Sequence, residues 1–146
     1  LLCLKAVFEE SGIECDIRLL ASGLNKKRRQ ELKSILTDKR LSYEEYLTQL
    51  QDAALFLTLP NWTNGSHNAS NGAIYLSKKL ITNNRSLPSY DFYTENNIFI
   101  LPDEHDDSLT DQLKDFLVRP FMPYSYKIRK KYDYYEWQTH FHTTIM

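Results

Sequence analysis

The apolar positions of the chain change period several times, and each change marks an element. Leu1, Leu2, Leu4, Ala6, Val7 and Phe8 have helical spacing and stop at Ser11-Gly12, where glycine can take the left-handed conformation that closes a helix. Residues 13–20 then alternate, with Ile13, Cys15, Ile17 and Leu19 on one side, which predicts a strand. Asn25 is placed to cap a charged helix running to Ile35, with Leu32, Ile35 and Leu36 as its apolar stripe. Ser42-Tyr43-Glu44-Glu45 is a capping box, in which serine and glutamate three residues apart can satisfy each other's backbone N–H groups. Tyr43, Tyr46, Leu47 and Leu50 supply the core side of that helix.

Residues 53–59 are a short unbroken apolar run ended by Pro60, the pattern of an interior parallel strand covered on both faces. After a polar loop, Asn68 or Ser70 begins another helix, packed by Ala73, Ile74, Tyr75 and Leu76, and strands are predicted at 79–82 and 97–101. An acidic turn leads to a helix near 109–117, which Arg119-Pro120-Phe121-Met122-Pro123 breaks. Helices alternating with strands over short connections predict an α/β fold, a Rossmann-like parallel sheet with helices on both faces. Residues 1–120 are expected to form that domain, its first strand lying upstream of Leu1, and the tyrosine-rich residues 121–146 a helical extension.

Composition narrows the function classes. With 146 residues, 42% hydrophobic and 25% charged, the chain can bury roughly 68–70% of its unfolded surface without help from a metal or disulfide. A net charge of -1 gives no reason for a general nucleic-acid surface. Lys26-Lys27-Arg28-Arg29 and Lys127-Ile128-Arg129-Lys130-Lys131 are local basic clusters, read as solvent-facing helix flanks, with anionic lipid or phosphate contact as the alternative. Cys3 and Cys15 lack metal-ligand spacing and suit reduced positions of a cytosolic protein. No apolar run reaches the ~20 residues that cross a bilayer, so the chain is not expected to be a membrane segment itself. With the cysteine reading, a cytoplasmic protein is expected, with peripheral attachment to the inner face of the membrane left open. Sequons at Asn61, Asn64, Asn68 and Asn84 are read as chance matches, because no signal peptide or disulfide framework accompanies them.

The candidate chemistry sits where the strand at 53–59 gives way to the next helix. In α/β proteins orphan N–H groups and the helix dipole converge at such a loop, which suits an anionic ligand. Gly65, Ser66, His67 and Asn68 can present backbone N–H groups to a phosphate, Gly65 permitting close approach, and Ser66 can add its hydroxyl. His67 can contact phosphate or protonate a leaving group, the alternative being an ordinary exposed loop histidine. Arg85, just beyond the strand at 79–82, is a candidate phosphate or sugar ligand, the alternative being an exposed loop arginine. Asp103-Glu104-His105-Asp106-Asp107 is read as a turn in which Asp106 or Ser108 caps the next helix, since adjacent side chains rarely converge on one ion. His140-Phe141-His142 lacks a third ligand, and no structural metal is expected.

The order of elements, the loop carrying Gly23, the Ser42 capping-box helix, the loop, helix and strand of residues 64–81, and the Tyr132-Asp133-Tyr134-Tyr135-Glu136-Trp137 tail resemble the carboxyl-terminal, nucleotide-sugar-binding half of GT-B glycosyltransferases. Where the broad retaining group of that fold has Glu-Gly-Phe-Gly and a second Glu eight residues after the first, this chain has Asn64-Gly65-Ser66-His67 and Gly72. Arg40-Leu41-Ser42-Tyr43-Glu44-Glu45-Tyr46-Leu47, with Asn84-Arg85-Ser86-Leu87-Pro88, is closer to the 4-acetamido-4,6-dideoxygalactosyl transferases that extend polyprenyl-linked sugars in envelope polysaccharide biosynthesis.

The resemblance implies a transferase that binds a nucleoside-diphosphate sugar through Asn64, Gly65, Ser66, His67, Asn68, Gly72 and Arg85. It would pass the glycosyl group to a glycan or polyprenyl-linked acceptor, with no further cofactor, and an acceptor-binding domain would lie upstream. Asn64 can hydrogen-bond a sugar hydroxyl but cannot act as a base, so no catalytic base is assigned. With both family carboxylates replaced, a noncatalytic Rossmann-like module for binding or assembly stands as the alternative. The aromatic tail, including Trp137 and Phe141, is expected to cover an interdomain surface or a homo-oligomer contact.

Overall fold

The computed structural model describes residues 2–12, 14, 16, 25–33, 41–59, 68–104 and 106–131. The chain divides into two compact units, Leu1–Tyr46 and Leu47–Met146.

In the first unit, helix α1 (Leu2–Glu10) buries Leu4 and Val7. It closes as its sequence predicts: Ser11 N–H donates to the Val7 carbonyl at 3.0 Å, and Gly12 takes φ 65°. The strand predicted at 13–20 lies outside the described residues except for Glu14 and Asp16, both exposed. Helix α2 (Lys26–Glu31) begins at Asn25, whose side-chain oxygen accepts the Arg28 N–H at 2.9 Å. It closes at Leu32, short of the predicted Ile35; all its residues are exposed, so no burial extends it. The capping box at the start of α3 (Tyr43–Asp52) is formed in full. Ser42 N–H donates to Glu45 Oε2 at 2.7 Å and Glu45 N–H to Ser42 Oγ at 3.2 Å.

The second unit holds a parallel sheet of β1 (Leu55–Thr58), β2 (Lys79–Thr82) and β3 (Ile98–Ile100), in that order. Among the described residues β2 lies between β1 and β3; β1 pairs with β2, and the strand predicted at 13–20 lies outside the described residues, so the interior placement expected for 53–58 is not decided. Leu80, Ile81 and Thr82 are fully buried, whereas in β1 only Phe56 is buried. An apolar run reports that both faces are covered and carries no information about hydrogen-bonding neighbours.

Register places Phe56, Leu80 and Ile98 in a row on one face, because paired residues of adjacent strands point the same way. That row, with Ala73 and Ile74 of α4 (Asn68–Tyr75), Leu87 and Phe92, forms the core. The opposite face carries Lys79, Ile81 and Phe99. It is covered by α5 (Ser108–Val118), whose Phe116 ring lies 5.5 Å from that of Phe99. Helices therefore pack on both faces of a parallel sheet, the predicted α/β, Rossmann-like arrangement.

Two long-range anchors fix the ends of this unit. Lys79 Nζ donates to the carbonyls of Phe116, Leu117 and Arg119 at 2.6, 3.1 and 2.6 Å, closing the carboxyl end of α5 with a cation where the helix dipole favours one. Its ammonium sits below its ordinary pKa, first through burial and then through repulsion by Arg119. Asn97, fully buried, clasps the main chain of Met122, donating through Nδ2 to its carbonyl (2.7 Å) and accepting its N–H through Oδ1 (2.8 Å). Arg119 and the prolines end α5 as predicted. The chain then enters α6 (Tyr126–Lys131), where Ile128 packs on the core and Arg129 Nε donates to the Tyr75 carbonyl at the end of α4 (3.2 Å). Residues 121–131 thus belong to the same core as the sheet, and the tail from 132 onward, with Trp137, His140, Phe141 and His142, lies outside the described residues. No helix among the described residues is long and apolar enough to cross a membrane.

Candidate functional site

The carboxyl edge of the sheet is defined by Thr58, Thr82 and Ile100, and a set of polar groups gathers there. Thr58 and Thr82 are register partners, and their hydroxyls meet at 3.0 Å. Ser70, in the first turn of α4, brings its hydroxyl to 3.5 Å from Thr58, which sets the start of α4 against the end of β1. Thr82 Oγ1 also accepts the Asn84 N–H at 3.2 Å. Asn84 Oδ1 in turn accepts the N–H and hydroxyl of Ser86, at 3.1 and 2.8 Å, and so builds the turn that leaves β2. Ser70, Thr82 and Asn84 are almost wholly buried. Buried hydroxyls are costly unless paired, so this ladder holds one arrangement of the α4 start relative to the β2 loop.

The burial of Asn84 also decides one sequon. An asparagine with no exposed surface, its carbonyl held by Ser86, does not accept an oligosaccharide in the folded chain.

The residues assigned from sequence are distributed as follows. Asn64, Gly65, Ser66 and His67 lie outside the described residues, in the segment between β1 and α4. Asn68 is the first residue of α4. Gly72 is helical in the second turn of α4, and a Cβ built on it meets nothing within 4 Å, so the position has room for a side chain. Arg85, in the turn after β2, is ion-paired with Asp103 in the loop after β3. The expected phosphate ligand thus already has a carboxylate partner across the carboxyl edge.

The acidic turn divides its work. Asp103 holds Arg85, while Asp106 Oδ1 accepts the N–H of Ser108 at 2.9 Å and its hydroxyl at 2.5 Å, ordering the start of α5. The Ser108 hydroxyl, followed by its N–H, holds the Asp106 carboxyl below the usual aspartate range. Among the described residues no three acidic, histidine or cysteine side chains come together as a metal site.

Sequence reading missed the Thr58, Thr82 and Ser70 ladder. Its one local signal is a threonine closing each of two apolar runs, and its meaning depends on the register between strands 24 residues apart. The start of α4 and two strand-end loops thus meet at one edge, where the hydroxyls are paired with one another and Arg85 is paired with Asp103. Comparison of the chain with protein-family models, curated proteins and solved structures returns no match.

Proposed function

We propose that this chain is the donor-binding domain of a GT-B-type glycosyltransferase. It takes a nucleoside-diphosphate sugar at the carboxyl edge of the sheet and passes the sugar to a glycan or lipid-linked acceptor on the cytoplasmic side of the membrane. The observation that carries this reading is the docking of α4's first turn on the end of β1 through Ser70 and Thr58, immediately after the segment that contains Asn64, Gly65, Ser66 and His67. A helix start beyond a parallel strand favours a diphosphate through its N–H groups and dipole, the latter contributing about 0.3–1 kcal/mol. Leaving-group charge grows during sugar transfer, so donors fixed before reaction lower the barrier. Arg85 joins them when a phosphate competes with Asp103. Incubating the protein with uridine, guanosine and thymidine diphosphate sugars and a polyprenyl-linked acceptor should release nucleoside diphosphate; no release with any pair would remove the enzymatic reading.

A second reading, a noncatalytic binding or assembly module, is favoured by the Arg85–Asp103 pair together with Asn64 and Gly72 in place of the family's carboxylates. Partner capture without nucleotide affinity would select it.

A further inference from the structure

Charge is distributed unevenly along this chain. Residues 116–131 include Arg119, Lys127, Arg129, Lys130 and Lys131 and no acidic residue, a formal +5 within a chain of net charge -1, although Arg119 is ion-paired with Asp115 just before the stretch and the charge left to the surface comes from α6. The same stretch supplies three of the four large apolar side chains exposed among the described residues: Val118 (76%), Met122 (50%) and Tyr126 (77%). These side chains are not exposed for want of anchoring. Asn97 clasps Met122's main chain, Ile128 and Tyr124 pack on the core, and Arg129 is tied to the Tyr75 carbonyl.

We infer that this corner, from the end of α5 through α6, is an attachment surface for an anionic lipid bilayer. Val118, Met122 and Tyr126 enter the interfacial layer, while Lys127 and Lys130 meet lipid phosphates. Tyrosine suits that layer because its ring is apolar and its hydroxyl is wet. Each lysine or arginine near an anionic surface strengthens binding about fivefold at physiological salt. A nucleic acid would use the same cations but gain nothing from Val118 and Met122. The corner also lies at the amino edge of the sheet, where Lys79 opens β2 and Asn97 precedes β3, so an attached molecule leaves the Thr58 and Thr82 edge open. Attachment does not depend on the donor site, and each can fail without the other.

The test is co-sedimentation of the intact chain with vesicles of pure phosphatidylcholine and of phosphatidylcholine mixed with phosphatidylglycerol. Binding is expected only to the mixed vesicles and should weaken as salt rises. Lys127→Gln with Lys130→Gln should lower the partition coefficient about tenfold or more. Val118→Ser, Met122→Ser and Tyr126→Ser combined should also lower it, with the melting temperature unchanged. In a Tyr126→Trp variant, indole emission should shift to the blue on adding mixed vesicles. Failure to sediment with mixed vesicles overturns the inference. So does binding that survives the triple serine change and is matched by a DNA duplex, which would mark a general polyanion site.

Discussion

Replacing Asn97 should unfasten the connection between α5 and α6 from the sheet. Its amide does for Met122 what a neighbouring strand would do, accepting the N–H and donating to the carbonyl through two bonds of 2.8 and 2.7 Å from a position with no exposed surface. Asn97→Leu keeps the approximate volume and removes both bonds. Each contributes about 0.5–1.5 kcal/mol net, and leaving its partner unsatisfied costs about 1–3 kcal/mol where water cannot reach. Met122 is half exposed, so water recovers part of that loss, and the expected destabilisation is about 2–4 kcal/mol in a urea unfolding curve. Asn97→Asp separates hydrogen bonding from packing. Ionised, it still accepts the Met122 N–H but sets a carboxylate oxygen against the Met122 carbonyl; protonated, it donates again. Burial and that repulsion raise its folded pKa above the unfolded ~3.9, so the folded chain holds the proton more tightly. The stability of this variant is therefore full below the unfolded value and is lost as pH rises through the folded one. Unfolding curves at about pH 4 and pH 7, corrected for the wild-type change, should show Asn97→Asp recovering at the lower value and Asn97→Leu not. If Asn97→Leu unfolds within about 0.5 kcal/mol of wild type, the clasp contributes nothing and the reasoning is wrong.

Three other substitutions probe separate links. Lys79→Met keeps an unbranched apolar side chain but removes the ammonium over Phe116 and its donors to three carbonyls at the end of α5, and should cost about 1–3 kcal/mol in denaturant, with faster hydrogen exchange in the last turn of α5. Gly72→Ala should raise stability by about 0.5–1 kcal/mol, because the residue is helical and the added methyl meets open space; a fall in melting temperature would contradict that placement. In Ser108→Ala, the Asp106 carboxyl titration followed by NMR should move up toward the ordinary aspartate value, since the first cause of its lowered pKa has gone.

Much of the fold is legible because its decisive interactions are local. Asn25 caps α2 and Ser42 with Glu45 begins α3, each through bonds spanning three residues. The strands read at 79–82 and 97–101 and the helix read near 109–117 come from short patterns too, and are found at Lys79–Thr82, Ile98–Ile100 and Ser108–Val118. What escapes sequence reading depends on distant partners. Asn97 meets Met122 25 residues on, and Lys79 meets carbonyls 37 to 40 residues away. The stretch between β2 and β3 has no periodicity, yet Leu87 and Phe92 are core residues, the latter stacked on Tyr90 at 5.3 Å. At the candidate site, the sequence identifies a strand-to-helix junction, and the threonine ladder beneath it emerges only from the strand register. Arg85 looks like a free cation in sequence and is an ion-pair partner of Asp103 in the fold.

The central claim, that the carboxyl edge of the sheet holds a nucleoside-diphosphate sugar, is tested most directly by calorimetric titration of the protein with uridine, guanosine and thymidine diphosphate sugars. Gly65→Val and Arg85→Gln variants should be titrated alongside it. One donor should bind. Gly65→Val should abolish that binding by blocking close backbone approach, and Arg85→Gln should weaken it by about tenfold, the loss of one charge-assisted contact partly offset because Asp103 no longer competes. If no donor binds, or if Gly65→Val binds as tightly as wild type, the diphosphate is not held there and the noncatalytic module is the better account.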